Sequence, residues 1–213
     1  MMKRTVHPTS DREQLLRERG FWPVAGVDEA GRGALAGPVV AAAVVAEWTV
    51  VQSWHAEVRD SKQLSATQRA HLYDLILAGS LAVATGIVPC TEIDRIGIAA
   101  ATRRAMHDAL RALSVAPSWV LIDWLTLPSL RNRQEGVPGG DASCLSIACA
   151  SIVAKVTRDR IMNDLDAQYR GYEFAAHKGY GTAAHLRCLG ERGVSPEHRL
   201  TFSPVNRIAG GLL

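Results

Sequence analysis

Short apolar runs that end in polar turns alternate along this chain with longer segments whose apolar residues recur at helical spacing. The apolar runs predict strands at residues 24–28, 38–45, 81–88 and 119–122. The second run is an almost continuous series of Val and Ala, which is typical of a strand buried on both faces. The pattern therefore predicts a core built around buried strands.

Helix-start signals precede several of the helical segments. Pairs that can form a capping box are Ser10 with Glu13, Ser65 with Gln68, and Thr91 with Asp94. The first pair predicts a helix that ends at Gly20, and the third predicts a helical stretch to about residue 113 that Gly97 splits in two. Helical spacing also predicts a long helix over residues 142–169 and a short one around residues 183–190.

The length of 213 residues suits a single domain. We expect residues 1–20 to form an N-terminal helical arm with a packing role, and residues 171–213 to form an appended C-terminal segment. The net charge of +3 is compatible with an anionic partner bound in a local patch. A hydrophobic content of 47% is that of an ordinary globular protein, so disordered and fibrous classes are excluded.

The four cysteines, Cys90, Cys144, Cys149 and Cys188, have no Cys-x-x-Cys spacing. We therefore expect reduced core thiols and neither a zinc site nor a disulfide framework. The N-terminal residues are too polar for a signal peptide, and the apolar run at residues 39–46 is too short to cross a bilayer. A cytoplasmic protein without membrane contact is the expectation.

Two adjacent carboxylates, Asp28 at the end of the first predicted strand and Glu29 directly after it, lead into the turn Gly31-Arg32-Gly33. Acids at a strand end can hold hard divalent cations, and the glycines let the backbone approach an anion that Arg32 also binds. An isolated pair of this kind is more often a polar loop that closes a hairpin. Convergence with further acids decides between the two interpretations.

Asp123 ends another predicted strand, and Asp141 lies near the start of the long predicted helix. If the two strands are neighbours, their acids share one sheet edge, and Asp141 either joins them or serves as a plain helix N-cap. Four acids in one pocket require cations to remain ionised. Two Mg²⁺ or Mn²⁺ ions would form the clamp used for in-line phosphoryl transfer.

Other phosphate or catalytic devices fit the sequence less well. The turn lacks the Gly-Lys-Ser/Thr of a P-loop, and the strand after it is unlike a dinucleotide-binding turn, which a helix follows. No Gly-x-Ser-x-Gly elbow is present. His177, His185 and His198 are candidate ligands, although solvated or capping histidines are more common.

Several motifs in order resemble those of bacterial type 2 ribonuclease H, the ribonuclease HII family, over residues 24–205. They are Gly26-Val27-Asp28-Glu29-Ala30-Gly31-Arg32-Gly33, Asp60-Ser61-Lys62 with Leu64-Ser65, Leu121-Ile122-Asp123, Ala150-Ser151-Ile152-Val153-Ala154-Lys155-Val156-Thr157-Arg158-Asp159, His177-Lys178-Gly179-Tyr180-Gly181-Thr182 and Phe202-Ser203-Pro204-Val205. The resemblance implies an α/β, RNase H-like fold, with a central mixed β-sheet flanked by helices and a small helical C-terminal extension that helps hold nucleic acid.

The resemblance further implies a metal-dependent endoribonuclease that acts on RNA/DNA hybrids and on single ribonucleotides within duplex DNA. Cleavage would fall 5′ of the ribonucleotide and leave a 3′-hydroxyl and a 5′-phosphate. The four family carboxylates match Asp28, Glu29, Asp123 and Asp141, which would bind two divalent cations, Mn²⁺ or Mg²⁺. We expect the chain to act as a monomer.

By the same resemblance, Gly31, Arg32 and Gly33 contact the 2′-hydroxyl and the phosphate at the RNA-to-DNA junction. Tyr180 packs on the following deoxyribose, although a tyrosine is more commonly a buried ring with a solvated hydroxyl. Phosphate contacts are assigned to Lys62, Lys155 and Lys178, each of which alone would more often be a solvated surface charge.

Departures from the family pattern flank two of the acids. Gly139 stands where a lysine is usual, two residues before Asp141, and Trp124 stands where a small glycine usually follows the acid matched to Asp123. Residues 129–136 are polar where the family tends to have a short apolar strand. These departures leave open a non-catalytic nucleic-acid-binding protein of the same fold. Ribonuclease HIII is disfavoured, because its long N-terminal domain has no room before Asp28.

Overall fold

The computed structural model describes residues 7–47 and 52–210. The strands are β1 (Val24–Ala30), β2 (Val39–Ala46), β3 (Ser80–Val88), β4 (Trp119–Asp123) and β5 (Gln134–Val137). The helices are α1 (Asp11–Glu18), α2 (Ala66–Gly79), α3 (Cys90–Ile96), α4 (Ile98–Ala112), α5 (Gly140–Ser143), α6 (Leu145–Gln168), α7 (Phe174–His177), α8 (Ala183–Arg192) and α9 (Val205–Gly210). Short 3₁₀ helices span Ser53–Glu57, Ser61–Gln63 and Pro128–Leu130.

The five strands form one mixed sheet in the order β3-β2-β1-β4-β5. Strand β1 lies at its centre, antiparallel to β2 and parallel to β4. Val27 of β1 is in register with Ile122 of β4. The residues that follow them, Asp28 in β1 and Asp123 in β4, therefore lie side by side at the same end of the two strands. The structure confirms the α/β fold with a central mixed sheet.

Helices cover both faces of the sheet, so β2 is buried along its whole length. Ala42 and Val44 belong to the apolar cluster shared with α2 and α6, whereas Ala41 and Ala43 belong to the cluster shared with α4. Helix α6 passes close to β1 at Gly26, where a Cβ atom would lie 2.1 Å from the Ser146 carbonyl carbon. The expected doubly buried strand is therefore confirmed.

Most predicted elements appear within a residue or two of their expected positions. The Ser65 and Gln68 capping box is formed, and Gly97, with φ of +79°, separates α3 from α4 as predicted. All four cysteines are buried, as expected of core thiols. No helix in the described ranges is long and apolar enough to cross a membrane.

Two of the capping predictions were wrong because the acids have long-range partners. Glu13 is fully buried and accepts hydrogen bonds from the Ser146 amide at 2.9 Å and hydroxyl at 2.6 Å, so it caps α6 and not its own helix. Asp94 accepts hydrogen bonds from the amides of Leu200 and Thr201, while α3 begins after Pro89. Both acids connect segments distant in the chain.

Two further differences concern the edge strand and the long helix. The polar stretch at residues 129–136 contributes to a real strand, β5, whose backbone pairs with β4. The predicted helix over residues 142–169 is divided at Cys144 into α5 and α6. Asp141 therefore lies in the first turn of a separate short helix whose N-cap is Gly139, so the N-cap interpretation of Asp141 was wrong.

The chain beyond α6 forms the short helices α7, α8 and α9, of which α8 was predicted. Residues 211–213 of the expected C-terminal segment lie outside the described residues. Buried histidines hold this extension together: the Nε2 atoms of His185 and His198 are 3.0 Å apart, and the ring of His177 stacks on that of His185 at 4.1 Å. The histidines are therefore structural.

Candidate active site

Three carboxylates from different parts of the chain meet at the end of the sheet where β4 terminates. Asp28 comes from β1, Asp123 ends β4, and Asp141 lies in α5. One oxygen atom of each lies within 4.8 Å of the others. Glu29 is adjacent but outside this group of three, so the structure gathers three of the four predicted acids closely and places the fourth beside them.

Burial and like charges oppose ionisation of these acids. Burial raises the pKa of Asp28 well above its usual range, and the charges of Glu29 and Asp123 raise it further. Burial also raises the pKa of Asp123, while a hydrogen bond from the Gly140 amide, at 2.8 Å, lowers it. The cluster is therefore under electrostatic strain that a cation would relieve.

The donor set suits a divalent cation that prefers oxygen ligands. Asp28 is only 6% exposed, and the Oε2 atom of Glu29 is buried without a hydrogen-bond partner among the described residues. Lys62 donates a 2.9 Å hydrogen bond to Asp141 from an otherwise exposed side chain, which raises the pKa of Lys62. One lysine at the rim does not neutralise the group, so these residues fit the cations expected from the sequence.

The Gly31-Arg32-Gly33 turn stands next to the acids and is held from behind by two buried arginines. Gly31 has φ of +87°, and a Cβ atom there would lie 1.9 Å from Nε of Arg158. The Arg199 guanidinium donates to the carbonyl oxygens of Gly31, Arg32 and Gly37 at 2.7 to 3.0 Å. Only glycine fits at Gly31, because both the backbone conformation and the space require it.

Most of the predicted site residues line one cleft of about 270 Å³. They are Asp28, Glu29, Gly31, Arg32, Gly33, Lys62, Asp123, Lys155 and Tyr180. Tyr180 is 37% exposed, and the cationic groups of Lys155 and Arg158 lie 5.9 and 5.4 Å from its ring centroid. Lys155 donates to Asp159 at 2.6 Å, four residues further along α6.

Two predicted residues are not among those that line this cleft: Asp141, which nevertheless belongs to the group of three acids, and Lys178. The Lys178 ammonium contacts Asn163, and burial lowers its pKa. Its carbonyl oxygen accepts a 2.8 Å hydrogen bond from Arg158, so its backbone belongs to the support of the glycine turn. The backbone position, and not the charge, connects Lys178 with the site.

The structure adds residues that the sequence analysis did not single out. Ser61, Arg69 and Ser151 line the cleft, and the hydroxyls of Ser61 and Ser151 are 3.0 Å apart. Arg158 and Arg199 lie behind the cleft and donate hydrogen bonds to the backbone that forms it. The motif around Ser151 was the available signal for Ser151 and Arg158, whereas a lone arginine such as Arg199 usually indicates a surface charge.

The model of the ribonuclease HII family matches residues 25–205. The chain belongs to the ribonuclease HII family. Ribonuclease HII of Dehalococcoides mccartyi is 49% identical over 97% of this chain and 98% of the relative. The crystal structure of ribonuclease H2 from Pyrococcus horikoshii OT3 superposes with a TM-score of 0.74 at 26% identity, over 88% of this chain and 97% of that chain.

Bst-RNase HIII in complex with Mn²⁺ shares the fold, with a TM-score of 0.67 at 20% identity over 88% of this chain and 69% of that chain. Membership of the ribonuclease HII family makes the chain a metal-dependent type 2 ribonuclease H. The acids described above are its candidate catalytic centre.

Two departures from the ribonuclease HII pattern have clear structural outcomes. Gly139 has φ of +68° and open space around it, and Asp141 keeps its place in the acidic group. Trp124 also has a positive φ, +51°, but its 43%-exposed ring lies beside Glu29 and Arg32 and does not fill the floor of the cleft. Neither change displaces the three clustered acids.

Proposed function

We propose that this chain cleaves duplex DNA on the 5′ side of an embedded ribonucleotide, as well as the RNA strand of RNA/DNA hybrids, leaving a 3′-hydroxyl and a 5′-phosphate. The observation that carries the proposal is the convergence of Asp28, Asp123 and Asp141 beside the Gly31-Arg32-Gly33 turn. Such cleavage would begin the removal of ribonucleotides from DNA.

In this proposal Asp28, Glu29, Asp123 and Asp141 hold two divalent cations, Mn²⁺ or Mg²⁺. When bound, such ions supply a water of lowered pKa and positive charge for the leaving oxygen. Asp28, the most buried of these acids, fixes the floor of the site, while Lys62 orients Asp141 from the rim. The four acids are the proposed catalytic residues.

The Gly31-Arg32-Gly33 turn is the proposed element that recognises the ribose of the embedded ribonucleotide. Gly33, which has open space where a side chain would stand, leaves the backbone accessible to a 2′-hydroxyl, which distinguishes RNA from DNA; Gly31 allows the turn, and Arg32 binds the adjoining phosphate. Tyr180 offers an exposed ring to the following deoxyribose. Lys62 and Lys155 are the proposed phosphate contacts within the cleft, whereas Lys178 stays a prediction from the resemblance.

We further propose that one domain performs this reaction as a monomer, with the segment from about residue 171 holding the nucleic acid. Tyr180 supports this role, because it belongs to that segment and lines the same cleft as Asp28. A cytoplasmic location stays a prediction. The departures at Gly139 and Trp124 give no support to a non-catalytic protein, because the acids stay clustered.

The test is cleavage of an end-labelled DNA duplex that contains one ribonucleotide, with Mn²⁺, Mg²⁺ or EDTA. We expect a metal-dependent cut at the 5′ side of the ribonucleotide, with an all-DNA duplex left intact and an RNA/DNA hybrid also cleaved. Cleavage of the all-DNA duplex, or a cut on the 3′ side, would contradict the proposal. A 3′-hydroxyl terminus extendable by a polymerase would identify the product.

A further inference from the structure

The indole of Trp124 lies between a carboxylate and a guanidinium of the site. Its Nε1 atom is 3.4 Å from Oε1 of Glu29, to which it donates a long hydrogen bond. Its ring centroid is 4.2 Å from the guanidinium carbon of Arg32. One neutral side chain therefore contacts two oppositely charged neighbours that are three residues apart in the chain.

The backbone holds Trp124 in this place despite an unfavourable conformation. Its φ of +51° lies in the left-handed region, which a bulky side chain rarely adopts. Its amide donates to the Val137 carbonyl oxygen of β5 at 3.2 Å, so the edge strand fixes the turn. Strain of this kind concentrates at functional sites, where the surrounding structure enforces it.

The arrangement leaves both charged groups available to ligands. Within the described ranges, no carboxylate lies within 4.0 Å of the Arg32 guanidinium, although Glu29 is close in sequence. A ring face holds a guanidinium without using its N–H donors or neutralising its charge. The hydrogen bond to Glu29 likewise uses one carboxylate oxygen and leaves Oε2 free.

We propose that Trp124 is a positioning residue that keeps Glu29 and Arg32 apart and pre-oriented, Glu29 for a divalent cation and Arg32 for a substrate phosphate. The inference rests on the proposed function for the roles of those two residues. A direct ion pair between them would occupy the carboxylate and the guanidinium at once. The indole prevents that pairing and still orients each partner.

Two substitutions separate the two contacts. Trp124→Phe keeps an aromatic face for Arg32 but removes the N–H donor, and Trp124→Leu removes both. Trp119→Phe is the matched control: Trp119 begins β4, packs on Phe21 with ring centroids 4.6 Å apart, and its buried Nε1 has no hydrogen-bond partner in the described part of the chain. It undergoes the same chemical change away from the cleft.

Two measurements on the full chain test the contacts of Trp124 with Glu29 and with Arg32 separately. Calorimetric titration with Mn²⁺ alone should show affinity about tenfold weaker in W124F and W124L, because loss of an outer hydrogen bond to a metal-binding carboxylate typically has this effect. Cleavage of the single-ribonucleotide duplex should show a KM raised roughly two- to fivefold in W124L and little changed in W124F. W119F should match wild type in both.

A double-variant cycle tests the dependence on Arg32. If Trp124 acts through Arg32, W124L combined with R32A should have the KM of R32A alone. Effects that multiply, or Mn²⁺ affinity equal in W124F and W119F, would overturn the inference while leaving the proposed function intact. If the wild-type chain leaves the duplex uncut, the proposed function fails, and the Mn²⁺ titration still decides whether Trp124 supports Glu29.

Discussion

Arg199 donates a 2.7 Å hydrogen bond to the carbonyl oxygen of Gly31, which precedes it by 168 residues. The same fully buried guanidinium also donates to the carbonyl oxygens of Arg32 and Gly37. Buried arginines are usually paired with acids, but here backbone oxygens take that place. The C-terminal extension therefore fixes the backbone of the turn proposed to read the sugar.

Replacing Arg199 with lysine should destabilise the protein and weaken substrate binding. Lysine keeps the charge but not the planar fork, so several buried carbonyl oxygens lose their donors. We expect a loss of about 2–4 kcal/mol in the free energy of unfolding, measured with urea, and a raised KM. Arg187→Lys, at an exposed position of α8, is the control and should change neither.

Gly31→Ala and Gly33→Ala form a matched pair within the turn. A Cβ atom at Gly31 would clash with the Arg158 guanidinium, and the positive φ of Gly31 also disfavours alanine. A Cβ atom at Gly33 would have nothing within 4 Å. G31A should lose at least about 2 kcal/mol of stability, and G33A should stay within about 0.5 kcal/mol of wild type. If G33A keeps its stability but loses cleavage, a substrate contact at Gly33 is the reason; equal stability losses would refute the steric argument.

Asp28→Asn should abolish cleavage yet stabilise the metal-free protein near neutral pH. Burial and neighbouring charges raise the pKa of Asp28 in the folded state. Its ionisation therefore opposes folding as the pH rises from the unfolded pKa through the folded one, and asparagine removes that penalty. In EDTA we expect a Tm higher by about 2–4 °C, the shift for roughly 1 kcal/mol.

Excess Mn²⁺ should reverse the order of the two Tm values, because only the wild-type protein gains strong metal-binding free energy. A D28N protein that still cleaves would remove Asp28 from the catalytic set. A Tm order that is the same with EDTA and with Mn²⁺ would show that Asp28 does not bind the cation.

Tyr180→Ala should impair cleavage of the single-ribonucleotide duplex more than that of an RNA/DNA hybrid. The exposed ring lines the cleft, and the proposal places it against the deoxyribose that follows the ribonucleotide. We expect about a tenfold fall in kcat/KM on the junction substrate, equivalent to about 1.4 kcal/mol. Tyr180→Phe keeps the ring and should behave as wild type. Equal losses on both substrates would exclude a sensing role.

The buried histidines should make the stability of the protein sensitive to acid. Burial lowers the pKa of both His185 and His198 to about 4. The unfolded chain therefore binds more protons, and stability is lost as the pH falls from about 6.5 towards about 4. Urea unfolding at pH 7 and pH 5 should differ by about 1–2 kcal/mol for each histidine.

His198→Gln should flatten this pH dependence, since one of the two titrating rings is gone. His71→Gln, at an exposed position of α2, is the control and should preserve it. An unchanged slope in H198Q would mean that other groups cause the acid sensitivity.

Periodicity predicted the strands that carry the acids because their apolar runs are dense. Strand β5 was not predicted, because its first three residues are only partly buried in the outer strand of the sheet. Its polar sequence therefore has no apolar alternation. Glu13 was misassigned because a local capping pair and a distant partner, Ser146, look the same in one sequence. Local signals fail where long-range contacts use the same residue types.

The acids of the site were predictable for a different reason. Asp28 and Glu29 follow a dense apolar run within β1, Asp123 ends β4, and Asp141 lies in the first turn of a helix, while the resemblance supplied their number. Arg199 was not predictable, because its burial arises only when the extension folds onto the glycine turn. The contacts of Trp124 also depend on a turn that β5 fixes. Sequence predicted the groups that face the ligand better than the groups that support them.

The hydrogen bond between Arg199 and Gly31 also determines when, during translation, the glycine turn can become ordered. A nascent chain carries the acids of β1 early, but the guanidinium that orders the adjoining turn belongs to Arg199, which is synthesised 168 positions after Gly31. Until then the turn lacks the donors for its carbonyl oxygens. An ordered glycine turn would thus arise only after the C-terminal extension that carries Arg199 has been synthesised and has folded onto it.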